Sequence, residues 1–560
     1  MAQYRAPIDD YRFIFERLLP NELRATLGGD DLDDELLFAI LDEAARFAED
    51  RLATLYRSGD QQGCTLDQNQ VTTPDGWREV FADFRAAGWT ALALPEAIGG
   101  QGLPRWLATP VTEFWQGANL AFSMFQPLTE GALEALEASG DKALIERYGP
   151  ALAAGEMTAT MALTEAGAGS DLGLLKTRAE ADGNGGYRLS GNKQFITFGS
   201  HDFCDRILHL VLARLPDAPA GSKGISLFAV PSHLDDGQSN HVLCTGIEEK
   251  LGLHGSPTCS LSFEGAQAQL VGTAGKGLAI MFVMMNEARL SVGLQGVAVA
   301  ERAYQTALEW AQERRQGRHP VSGESACAII EHPDVRRLLL RQRAQTLASR
   351  FLASHLALRL DQSRCKDHPE RDWAQREVEL LTPVFKAYST EVANRLVGDA
   401  IQVLGGMGFI EETGVAQCYR DLRVSTIYEG TTAIQAQDFL LRKVIADGGE
   451  TMFHWLQQVD QQAPALLEKT EAVRQLVQRA LADNSDTTWR LAGSVALLEA
   501  VGILASAWQL NRALACAEDN QYGQNLAAVW AFYQSHFVVD IDAQLRRAER
   551  AADGLDYRFG

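Results

Sequence analysis

Between about residues 159 and 275 the chain changes its apolar period, and that change restricts the folds open to it. On either side, apolar residues recur three and four apart, the spacing of amphipathic helices. Residues 34–56, 77–87 and 112–139 read this way before the break. Residues 278–315, 335–364 and 373–404 read this way after it, the last ending at Gly405-Gly406. Inside the interval, short β-prone runs appear at 158–163, 187–189, 194–197, 207–213, 225–230 and 259–263. Gly, Asn, Asp and Pro turns such as AGAGSD and DGNGG separate them. This texture predicts a compact antiparallel β-domain and excludes a chain of βαβ units. The predicted class is α+β, mainly α. It has an N-terminal helical domain (1–158), a central antiparallel β-domain (159–275), a helical bundle (276–446) and an extra C-terminal helical domain (447–560). Glycine pairs at 28–29, 99–100 and 448–449 punctuate the helices, and further breaks fall near 483–484 and 522–523.

Charge narrows the function classes. Lys and Arg number 51 against 73 Asp and Glu, a net charge of −22. Non-specific binding to nucleic acid or to anionic lipid needs a basic face, which this balance does not favour. The eight cysteines form no CxxC pair and no Cys/His cluster at zinc spacing, so no metal is expected. They read as reduced thiols of a cytoplasmic protein. The acidic start MAQYRAPIDD lacks the form of a targeting segment. No run of about 18 uninterrupted apolar residues suggests a membrane span.

Several segments carry residue types suited to chemistry. In MALTEAGAGSD (161–171) a strand runs into a Gly/Ala/Ser turn. Bare backbone N–H groups there suit a phosphate or a flat ring, with hydroxyls from Thr164 and Ser170. The same residues also read as a tight β-turn. In GNKQFITFG (191–199) Phe195 and Thr197 alternate along one strand face, so an aromatic and a hydroxyl point the same way, which also describes a half-buried strand with a packed Phe. QVLGGMG (402–408) reads as a helix stop. In YEGT (428–431) a carboxylate sits before a helix. An apolar cleft would raise its pKa and make it a usable base, while a helix-start acid is the simpler account. Asn286, Arg289, Arg314, Arg315 and Arg318 lie on or near a long helix, where a solvated face also explains the arginines. GTAGKG (272–277) lacks phosphate-loop spacing and ends in Gly277, so that reading fails.

Taken in order, these segments resemble the acyl-CoA dehydrogenase family. The family runs read TEPGAGSD, KxWIT, ERxxFG, QxLGGxG and IYEGT. Here they read TEAGAGSD (164–171), KQFIT (193–197), ERRQGR (313–318), QVLGGMG (402–408) and IYEGT (427–431), with KLGLHGSPT at 250–258 as a further family-like run. The likeness covers about residues 30–446. It implies FAD as cofactor, an acyl-CoA thioester as substrate and Glu429 as the base. Around the flavin it implies Leu163, Thr164, Gly169, Ser170, Phe195, Thr197 and Thr431. Arg314, Gln402, Gly405 and Gly406 would contact the dinucleotide across a subunit interface. Ser170, Asn286, Arg289 and Gly430 would line the substrate path. Phe195 replaces the usual Trp, Ala166 replaces the usual Pro, and ERRQGR lacks the Phe before its Gly.

The implied reaction is α,β-dehydrogenation to a trans-2-enoyl-CoA, with an electron-transferring flavoprotein as electron acceptor and a homodimer or larger homo-oligomer as the assembly. The long tail, the start MAQYRAPIDDYRF and the run IIEHPDVRRLL (329–339) resemble the longer subgroup of the family. The expected acyl group is therefore 3-methylthiopropionyl, or a short or medium chain. An oxygen-using acyl-CoA oxidase and a flavin-containing DNA-binding relative stay open as alternatives. The tail itself is expected to pack on the core and to join the subunit interface.

Overall fold

The computed structural model describes residues 3–19, 21–27, 32–482 and 487–558. The predicted breaks at 28–29 and 483–484 lie outside them. The chain divides into two compact units: residues 50–103 with 119–291, and residues 1–49 with 104–118 and 292–560.

The first unit is built on β-structure. After a hairpin, β1 (Thr65–Asp67) and β2 (Gln70–Thr72), come β3 (Met157–Ala162), β4 (Arg178–Ala181), β5 (Tyr187–Thr197), β6 (Arg206–Arg214), β7 (Ile225–Pro231), β8 (Val242–Ile247) and β9 (Thr258–Val271). The order is β3-β6-β4-β5-β9-β7, and β7 also pairs with β6. That last pairing closes β6, β4, β5, β9 and β7 into a ring, which removes edges that would otherwise invite association. Most of the pairings are antiparallel, as the sequence predicts, and the exceptions both involve β6. β3 runs parallel to β6, from Met157 opposite Arg206 to Ala162 opposite Val211, and β4 meets β6 in parallel at one bridge. Two strands read as separate runs (187–189 and 194–197) are one strand, β5.

β6 shows why its sequence reads as an unbroken apolar run. Leu208, Leu210 and Leu212 enter one core, while Val211 and Ala213 enter another. Alternate residues point to opposite faces, and both faces are buried. The core inside the ring takes Ala179, Leu189, Phe228 and Phe263 as well. The outer core is covered by helices Phe125–Ser139 and Lys142–Ala153. The single helix expected over 112–139 is broken at Asn119, whose side chain accepts the Phe122 N–H at 3.1 Å and so starts a new helix.

The second unit is helical: α1 (Arg105–Ala118), α2 (Gly277–Glu313, its residues from Val292 onward), α3 (Pro333–Arg364), α4 (Arg371–Leu404), α5 (Thr432–Gln437), α6 (Glu450–Gln462), α7 (Thr487–Ala515) and α8 (Gln521–Tyr533). Gly405, at φ +62°, ends α4 where the sequence placed a stop. Residues 447–482 and 487–558 do not stand apart. A Cβ on Gly502 of α7 would lie 2.4 Å from the Tyr388 ring of α4, so only glycine permits that approach. The Tyr388 and Tyr533 hydroxyls are 3.1 Å apart.

A buried ion cluster ties the chain's start to this bundle. Arg350 of α3, fully buried, donates to Asp10 at 2.5 Å, Glu113 at 2.6 Å and Glu301 at 2.9 Å. Tyr522 of α8 donates to the same Asp10 at 2.9 Å. Tail cations also find carboxylates, Lys469 at Asp542 and Arg474 at Asp460, which leaves those two little charge to offer a polyanion. Among the described residues two helices, α2 and α7, are long and apolar enough to cross a bilayer by length and composition. Their most apolar windows are 44% and 72% buried inside the protein, so α7 in particular reads as a core helix.

Candidate active site

In the β-unit, the TEAGAGSD turn leaves β3 and is closed by a reciprocal backbone pair, Glu165 with Ala168, at 3.0 Å each way. Lys193 of β5 holds it from inside. Its fully buried ammonium donates to the Leu163 carbonyl and to Glu165 Oε1, both at 2.9 Å. Glu165 also accepts from the Thr177 hydroxyl at 2.6 Å and from the Lys176 N–H at 2.6 Å. Burial alone would raise the Glu165 pKa, but the Lys193 charge and these hydrogen bonds hold it below its ordinary value. Burial pulls the Lys193 pKa down to about 8 against the opposing pull of Glu165.

β5 bulges here. Its pairing with β9 shifts between Lys193 and Ile196, and the Gln194 N–H donates to the Thr164 carbonyl at 2.8 Å. Phe195 takes φ +60°, a left-handed conformation rare for a residue with a side chain, and the residue is 60% exposed. The regular alternation expected between Phe195 and Thr197 is therefore corrected to a bulge that re-aims the ring. Leu163 is buried, Thr164 half-buried, and Gly169 and Ser170 exposed. A Cβ placed on Gly167 or Gly169 would touch nothing within 4 Å. Neither glycine needs a positive φ; their use is bareness. Open backbone beside an exposed aromatic ring fits a flat, phosphate-bearing cofactor. Asn286 and Arg289 are one turn apart in the first part of α2. Arg289 is 5% exposed and donates to Asn286 Oδ1 at 3.4 Å.

In the helical unit, Glu429 lies half-buried in the loop before α5. It too is left-handed, at φ +55°, and Gly430 follows at φ +91°. Gln435 Nε2 donates to the Glu429 carbonyl at 2.7 Å, and Lys386 Nζ donates to the Gly430 carbonyl at 2.7 Å. Thr431 caps α5, accepting the Ile434 N–H at 3.4 Å. The preceding Tyr428 hydroxyl donates to Gln295 Oε1. Arg314, at the end of α2, is exposed, as are Gln402, Gly405 and Gly406 at the end of α4. Residues 315–328 fold back through bridges Arg315–Ala328 and Arg318–Ser325. The side chains of Arg314 and Gln402 join the Glu429 loop through no hydrogen bond among the described residues.

Lys193, Glu165, Lys386, Gln435 and Gln295 also serve these loops, and no motif assigns them that role in the sequence. A lysine at an inward strand position, or on the apolar face of α4 between Phe385 and Ala387, was the available signal. No group of three or more His, Cys, Asp or Glu among the described residues is placed to hold a metal ion.

A mainly helical chain with a β-unit, a bare glycine turn and a strained carboxylate loop defines a class. Its residues 35–156 match the N-terminal domain of acyl-CoA dehydrogenase, 160–266 its middle domain and 275–442 its C-terminal domain. The chain belongs to the acyl-CoA dehydrogenase family and is an oxidoreductase of that class. It is 40% identical to the 3-methylmercaptopropionyl-CoA dehydrogenase of Ruegeria pomeroyi, over 99% of each chain. It is 32% identical to the broad-specificity linear acyl-CoA dehydrogenase FadE5 of Mycobacterium tuberculosis, over 96% of each. The fold matches a crystal structure of a Bacillus anthracis acyl-CoA dehydrogenase complexed with FAD, with a TM-score of 0.75 at 22% identity, covering 94% of this chain and 90% of that one.

Proposed function

We propose that the protein is an FAD-dependent acyl-CoA dehydrogenase with Glu429 as its base. The observation that carries this reading is the Glu429 loop. A carboxylate-bearing residue is held in a left-handed conformation that costs on the order of 1 kcal/mol, and such strain persists at sites whose surroundings over-determine it.

The α-hydrogens of a thioester are only weakly acidic, so the carboxylate must be aimed and the developing enolate oxygen must be met by a donor. The Glu429 side chain takes the α-proton. Its own backbone N–H is the donor the family resemblance assigns to the thioester oxygen. Asn286 and Arg289 line the path of the acyl-CoA. Leu163, Thr164, Gly169, Ser170, Phe195 and Thr197 hold the flavin ring and its tail, and Thr431 lies beside the adenylate end. Arg314, Gln402, Gly405 and Gly406, all exposed, serve a neighbouring subunit's dinucleotide in a homodimer or larger homo-oligomer. FAD, when bound, supplies the hydride acceptor for the β-hydrogen.

For the acyl group we favour 3-methylthiopropionyl, because the 40%-identical relative named for that substrate is matched over 99% of its length. An electron-transferring flavoprotein is the proposed reoxidant. A dye-coupled assay over a panel of acyl-CoA thioesters, with 3-methylthiopropionyl-CoA among them, tests the substrate. Glu429→Gln tests the base: turnover falls by about two to four orders of magnitude while the protein stays yellow. Near-normal turnover in that variant removes Glu429 from the role, and rapid turnover of the wild type on oxygen alone would make the protein an oxidase.

A further inference from the structure

Glu429 and Gly430 are two successive left-handed residues, and a buried side chain captures each of their carbonyls. The Glu429 carbonyl fixes that residue's ψ, and the Gly430 carbonyl fixes the next peptide plane. On the other side, the Ile427 and Tyr428 N–H groups both donate to the Val424 carbonyl, at 2.8 and 3.1 Å, and the Tyr428 hydroxyl reaches Gln295. With the backbone pinned from both directions, the direction in which the Glu429 side chain leaves the chain is set. From this we infer that Lys386 and Gln435 are positioning residues that aim the Glu429 carboxylate. The inference rests on the reading of Glu429 as the base.

Two observations separate this from ordinary packing. Gln435 is fully buried, and its Oε1 has no hydrogen-bond partner among the described residues. An orphaned buried acceptor costs stability, so a core selected for stability alone would place an apolar side chain there. The amide is retained together with its one bond to the Glu429 carbonyl. Lys386 is fully buried as well, and taking an ammonium out of water is costly. Gly430 is fitted to the clamp, since a Cβ there would stand 2.7 Å from Gln435 Nε2.

The test isolates the proton step. An acyl-CoA whose β-carbon carries no hydrogen, such as 3,3-dimethylbutyryl-CoA, cannot be oxidised. It can still lose an α-proton to Glu429 and regain a deuteron from heavy water, with no net redox change. Mass spectrometry then counts the deuterons. Gln435→Leu, and separately Lys386→Met, should slow this exchange and lower kcat by about 10- to 100-fold, the scale of a misplacement near 1 Å. Bound FAD and the acyl-CoA dissociation constant should hold, and the loss of exchange should exceed any loss of folded protein, a split that a merely structural role would not produce. Exchange within twofold of wild type in both variants overturns the inference. So does a loss of exchange that only tracks a loss of FAD or of folded protein. If Lys386→Met does not fold, Gln435→Leu alone decides. Glu429→Gln is run alongside: wild-type exchange in that variant sinks the reading of the base, whereas abolished exchange there with normal exchange in the two clamp variants sinks only this inference.

Discussion

Lys193 reaches from inside β5 to the turn after β3, 2.9 Å from the Leu163 carbonyl and 2.9 Å from a Glu165 carboxylate oxygen. The contact links the two segments that the resemblance assigns to the flavin. Removing one partner of a buried pair leaves the other uncompensated, at a cost of about 3–5 kcal/mol. Lys193→Met should therefore lower the thermal midpoint and the flavin-to-protein ratio together. The double variant Lys193→Met/Glu165→Gln should recover much of the midpoint, because no bare charge is left, but not the flavin ratio. A double variant as unstable as the single one would show that packing, not charge, dominates.

The β-unit carries an acid sensitivity with a defined sign. Phe203 N–H donates to His201 Nδ1 at 3.1 Å, so Nε2 holds the proton and donates to Thr158 Oγ1 at 2.8 Å. His209 Nδ1 lies 2.7 Å from Thr160 Oγ1 and its Nε2 has no partner among the described residues. Burial pushes both down to about 3. A depressed folded-state value means that the unfolded chain takes up protons below pH 6.5 that the folded protein refuses. The stability is present above that pH and is lost as pH falls toward 3, by up to roughly 5 kcal/mol for each ring. Acid unfolding followed by near-ultraviolet circular dichroism should begin below pH 6, and His209→Asn should move its midpoint to lower pH. An unmoved midpoint in that variant refutes the assignment.

Much of this was legible in the sequence because it is local. Helix ends at Gly405 and at residue 364 follow from stop signals and periodicity, and β6 from its β-branched and leucine-rich run. The IYEGT loop stood out because Glu429 lies between an aromatic residue and a glycine just before a helix. What escaped was set by tertiary partners. The bulge at Phe195 depends on how β9 and the Thr164 carbonyl meet β5, and the parallel pairing of β3 with β6 depends on closure of the ring. Lys386 and Gln435 look like ordinary members of helical runs until the carbonyls they capture are in place.

Gly430 offers a check on the loop that needs no charge change. Alanine there is strained at φ +91° and strikes Gln435. Gly430→Ala should cut turnover by about 10-fold or more while flavin content holds, on the same positional argument. A variant with full turnover would mean that the loop tolerates rearrangement.

The tail gives the last prediction. Trp455 of α6 and Trp508 of α7 are fully buried and meet edge to face at 6.0 Å. His355 of α3 lies against Trp508 at 5.0 Å and donates from Nε2 to the Glu377 carboxylate of α4 at 2.9 Å. Removing residues 446–560 would strip this cover from α3 and α4, leaving Tyr388 and the His355–Glu377 pair in water. A chain ending at Ile445 should therefore be largely insoluble, or unfold at a much lower temperature. A gentler probe is Gly502→Val. Its added methyls meet the Tyr388 ring, which a Cβ alone would approach to 2.4 Å, and overpacking of this kind costs about 1–3 kcal/mol or more. The variant should keep its flavin but melt several degrees lower. If Gly502→Val melts like wild type and the shortened chain keeps its solubility, midpoint and oligomeric mass, the tail is an independent appendage. If the shortened chain stays folded but loses oligomeric mass, the tail also serves the subunit interface.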